Sequence, residues 1–122
     1  MAAHVVSTWA QREAVRLAQA ILLGEVGVLE GCIPLVAVAG DVVPEWHSDP
    51  DFVEFGVVAD EIEALPFGAV RERWSAAALV RADVEIARYS DVMRERISSA
   101  CRSVVARFGA TTDETAEGDS AV

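Results

Sequence analysis

From Ser75 to Gly109 the chain places an apolar residue at every third or fourth position: Leu79, Ala82, Ile86, Tyr89, Met93, Ile97, Ala100, Val104 and Phe108. That spacing predicts one helix with a single buried face, opened by Ser75 as N-cap and stopped by Gly109. About 33 residues at 1.5 Å each make a rod on the order of 50 Å, which cannot cover its own apolar stripe. Another long element must lie against it.

The N-terminal third supplies that element. Thr8 followed by Gln11 reads as a capping box, and Ala14, Leu17, Ala18, Ile21, Val28 and Leu29 recur at helical spacing. Gly24, Gly27 and Gly31 fall at i, i+3 and i+7, so in a continuous helix they line one side and admit another backbone. A break at these glycines is the competing reading. Pro34 requires a kink or restart between Glu30 and Pro34, and Gly40, Asp41 and Pro44 close the segment.

The expected fold is therefore mainly α, with two long packed helices and a 41–74 connection folded against them. Within the connection, "VPEWHSDPD" (43–51) is a loop by its prolines and short polar residues. Residues 52–59 fit a helix capped by Asp51 and Glu54, or a strand alternating Val53, Phe55, Val57 and Ala59. Gly56 and the β-branched Val57–Val58 tilt the reading to a short β segment. One domain is expected over 1–108, followed by a disordered acidic tail over 109–122.

The motifs "GEVGVLEGC" (24–32), "DPDFVEF" (49–55) and "LPFGAVRERW" (65–74), with the helix from "RADVEIAR" to "ACRSVVARF" (81–108), resemble a family of small uncharacterised bacterial proteins. That domain of unknown function carries a Gly-Glu helix, Asp-Pro-Asp-Phe and Leu-Pro-x-Gly-x-Val-Arg-x-x-Trp. The likeness spans about residues 12–108. It implies no activity, cofactor or catalytic residue.

Charge separates the function classes. The net charge is −10, and all ten basic residues are arginines. Residues 24–66 hold ten acids and no base, whereas 67–108 hold eight arginines against five acids. Phosphate-backbone binding draws on cationic side chains, so nucleic acid is excluded as the expected partner. Part of the acidic middle can be balanced by the arginine-rich helix; the remainder faces solvent or a partner.

The apolar run 21–40 has the length of a membrane span but contains Glu25, Glu30 and Pro34. Each acid at mid-membrane costs roughly 2.5–3.5 kcal/mol, which argues against insertion. The N-terminus lacks a basic region ahead of an apolar run, so a cytoplasmic location is expected. In that setting Cys32 and Cys101 read as buried, reduced thiols.

No nucleophile and base, phosphate loop or zinc spacing presents itself, and no cofactor is expected. Glu25 and Glu30 lie about 140° apart on a helix, so they do not share a pocket. Glu30 is instead expected in a structural ion pair with an arginine of the later helix.

Two functions follow. The first is a binding module for a basic protein, an immunity or antitoxin-like inhibitor being one version. Its contact residues would be Glu45, Trp46, Asp49, Asp51, Phe52, Glu54, Asp60 and Glu61, with Phe55 as a further anchor. The alternative is a small metal-dependent hydrolase using Asp49, Asp51, Glu54 and Asp60. A homodimer through the Gly24/Gly27/Gly31 face is the remaining expectation.

Overall fold

The computed structural model describes residues 2–109, with side chains from Thr8 onward. The acidic tail expected beyond Gly109 lies outside the described residues. Every regular element among the described residues is helical: α1 (Ala2–Leu22), α2 (Cys32–Val42), α3 (Phe52–Glu61) and α4 (Ala76–Val104). Short 3-10 turns at Trp46–Ser48 and Gly68–Arg73 bend the connections, and a π turn, Val105–Gly109, finishes α4.

The long first helix expected from the sequence is two helices. Gly24 adopts φ 77°, and the Gly24 amide donates to the Ile21 carbonyl while the Glu25 amide donates to that of Ala20. This is a Schellman ending, in which glycine occupies the left-handed position without strain from a Cβ. Helix resumes at Cys32, which leaves Pro34 in the first turn of α2, where a missing N–H costs little. The three glycines consequently share no helix face. Thr8 lies inside α1 and is not its N-cap.

The core forms where four apolar stripes meet. Ala10, Ala14, Leu17, Ala18 and Ile21 of α1 join in one cluster Cys32, Leu35 and Ala39 of α2, Phe52, Phe55 and Val58 of α3, and Met93, Ile97, Cys101 and Val104 of α4. The alanines on α1 allow close packing, and α1 touches α2, α4 and the π turn. Burying each phenylalanine of α3 contributes about 1.5–3 kcal/mol, and the two rings meet edge to face at 5.6 Å. The buried α4 residues of this cluster all lie from Met93 onward, while Ile86 and Tyr89 pack against it only in part. On the other side of α4, Val80, Val84 and Val92 remain 53–67% exposed.

Ser75 caps α4 as the sequence predicts, its Oγ accepting from the Ala78 amide at 3.1 Å. Arg71 ties the preceding turn to the helix through both nitrogens, which donate to Asp83 at 2.9 and 3.0 Å.

The expected strand over 52–59 is α3. Gly56, which tilted the reading, serves a close approach: a Cβ there would lie 2.8 Å from Trp46 Cζ3. The indole rests against the helix backbone at that point, and the buried Phe52, Phe55 and Val58 carry the 3-residue steps.

Gly56→Ala is expected to lower stability by about 1 kcal/mol, since an overpacking cost of roughly 1–3 kcal/mol outweighs up to about 1 kcal/mol of helix propensity gained. Gly40→Ala, where the added Cβ sits 4.0 Å from Trp46 Cδ1, is expected to raise stability by about 0.5–1 kcal/mol. Urea unfolding of both variants checks the pair.

Candidate functional site

The acids of the middle segment divide into two sets. The first set is structural. Asp49, the residue that turns the chain into α3, accepts the amides of Asp51 and Phe52 on Oδ2, each at 3.0 Å. The free N–H groups at a helix start favour a carboxylate at this place. Arg107, on the π turn, then grips the same carboxylate with two nitrogens, Nη2 to Oδ1 at 2.8 Å and Nη1 to Oδ2 at 3.0 Å. Its Nη1 also reaches Asp51 at 2.8 Å, and the Ser103 hydroxyl donates to Asp51 at 2.6 Å. The guanidinium lies 4.8 Å over the Phe108 ring.

Burial opposes ionisation of Asp49, but hydrogen bonds from Arg107 and from the Phe52 and Asp51 amides outweigh it and hold the carboxyl below its usual range. The Asp49 bond raises the Arg107 value in turn. Glu54, one helical turn on, pairs with Arg96 of α4.

The second set is open to solvent. Glu25, Glu30, Asp41, Glu45, Asp60, Glu61 and Glu63 are all exposed, and none forms an ion pair within 4 Å among the described residues. The buried ion pair expected for Glu30 is therefore absent there; its carboxylate lies at the surface, where a Cβ at Gly27 would meet it at 3.0 Å.

Of the residues expected to contact a partner, the structure leaves Glu45, Trp46, Asp60 and Glu61 at least partly exposed. Asp49 and Asp51 are buried and engaged, Glu54 is paired, and Phe52 and Phe55 are fully buried core residues. Sequence reasoning missed Arg107 and Ser103. Their only signal was the arginine excess of the last helix, which gives no pairing.

Trp46 and Asp60 meet at a groove of about 340 Å³ between α2 and α3, lined also by Val36, His47, Val53, Gly56 and Val57. The His47 ring lies 3.9 Å from the indole. A larger depression, about 480 Å³, lies elsewhere, between Leu65 and Trp74 and the start of α4.

No group of three or more His, Cys, Asp or Glu among the described residues is placed to hold a metal ion. Asp49 and Asp51 direct their oxygens to Arg107, Ser103 and amides, so the four acids expected to serve a hydrolase do not converge. Burial pushes both thiols, Cys32 and Cys101, up to about 12, which keeps them protonated near neutral pH. No helix among the described residues is long and apolar enough to cross a membrane.

Comparison with protein-family models, with curated proteins and with solved structures finds no match for the chain. The likeness to the uncharacterised bacterial family thus rests on its motifs.

Arg107→Ala is expected to cost on the order of 2–3 kcal/mol, because it strands two buried carboxylates; the guanidinium's 34% exposure sets this below the roughly 3–5 kcal/mol of a fully buried pair. Arg96→Ala, at an exposed pair, is expected to cost less than about 1 kcal/mol. Thermal unfolding ranks the two.

The folded chain holds the Asp49 proton less readily than the unfolded chain. Its stabilisation is thus complete above the unfolded value of about 3.9 and is lost as pH falls through the lower folded value. Stability measured by urea titration is expected to decline below about pH 4, and Asp49→Asn is expected to flatten that decline.

Proposed function

We propose that this chain is a protein-binding module that recognises a basic partner through the acidic surface of residues 41–63. An immunity or antitoxin-like inhibitor acting in the cytoplasm, from a family of small bacterial proteins, is the concrete version. One observation carries the reading. Ten acids and no base occupy residues 24–66, three of them are matched by Arg96 and Arg107, and the other seven are exposed without an ion pair among the described residues.

Such a surface concentrates field of one sign and steers an oppositely charged protein, raising its association rate at low salt. Those seven carboxylates make no side-chain hydrogen bond or ion pair among the described residues, so they are available for contact. Trp46 and Val57, partly exposed among them, supply the apolar area that pure charge lacks.

The test immobilises the protein and passes native-host extract over it at low salt and at about 0.5 M salt, where screening cuts surface attraction to a few ångströms. A basic protein retained only at low salt is expected. Its affinity should fall more than about tenfold in the combined variant Glu45→Gln, Asp60→Asn, Glu61→Gln, with the melting temperature unchanged. A partner retained equally at high salt and by the combined variant would refute the reading.

A further inference from the structure

We propose that the groove between α2 and α3 is the seat for one arginine side chain of the basic partner, its stem lying on valines and its guanidinium meeting Asp60. The inference rests on the proposed acidic recognition surface and assigns that surface an anchor point.

Three observations support it. The floor is apolar, formed by Val36, Val53 and Val57, and Val57 is 46% exposed, so a hydrocarbon stem gains burial there. Asp60 stands at the groove, exposed, with no ion pair among the described residues. Glu45 adjoins Trp46 in the chain and is exposed and unpaired in the same sense.

Charge complementarity selects the occupant. Three other surface depressions also hold acids, Glu85, Glu61 and Glu54 among them, but each carries a guanidinium in its lining, Arg81, Arg88 or Arg96, that offsets part of that charge. The α2–α3 groove has no guanidinium. Arginine suits it better than lysine because the guanidinium is more weakly hydrated and can meet a carboxylate with two parallel hydrogen bonds.

The shape of the site depends on Gly56. Trp46 lies close against the α3 backbone at that glycine, so its indole forms one wall of the groove.

Titration with nona-arginine at low salt, followed by nuclear magnetic resonance and calorimetry, tests the assignment. The Val57 methyl and Trp46 indole signals are expected to shift. Asp60→Asn should weaken binding about tenfold, the loss of one charge-assisted hydrogen-bonded contact, whereas Glu63→Gln, the same charge change outside the groove, should weaken it less than about twofold. Val57→Ser should also weaken it, while circular dichroism confirms that all three variants fold. Equal losses for Asp60→Asn and Glu63→Gln would overturn the groove and leave the broader acidic surface standing. No binding to the unmodified protein at low salt would remove both.

Discussion

The clasp between Arg107 and the Asp49–Asp51 pair determines where α3 can lie. One carboxylate caps the helix start and receives the guanidinium of the π turn that follows α4. Because two buried charges are costly unless met, these contacts favour the register in which the connection passes over the end of α4. With that start in place, Phe52, Phe55 and Val58 enter the core and the opposite side of α3 faces outward. The groove with Trp46 is a consequence of that outward side.

The negative middle segment thus has two physical roles within a short stretch. Asp49, Asp51 and Glu54 hold structure together across more than forty residues of chain, as the separations of 58, 56 and 42 show. The neighbouring acids of 41–63 remain hydrated. Removing a charge from the first set is felt by the fold, whereas removing one from the second changes mainly the external field. Composition alone presents both sets as one block.

The last helix was legible because its stripe is long and its cap local: Ser75 needs only the amide three residues away. The restart near Pro34 was legible for the same reason. Gly24 was harder, since spacing of i, i+3 and i+7 fits a packed helix side as well as a terminus, and only the backbone angle decides. Gly56 misled because its neighbour is Trp46, ten positions back, and a close approach leaves no local mark. The Arg107 pairing was out of reach of any local pattern. Sequence shows that arginines are in excess after residue 67, but not which of them meets which acid.

The uneven burial of α4 gives this domain a gradient of local opening. From Met93 to Val104 the helix is anchored by Met93, Ile97, Ala100, Cys101 and Val104, while the preceding turns bury only Ala82, pack Ile86 and Tyr89 in part and are tied by the exposed Arg71–Asp83 pair. Backbone amides near the start of the helix should therefore exchange with deuterium through fraying of a few turns, and those near its end only through cooperative unfolding of the whole domain. A single continuous rod would then report two free energies of opening, with the crossover close to Met93.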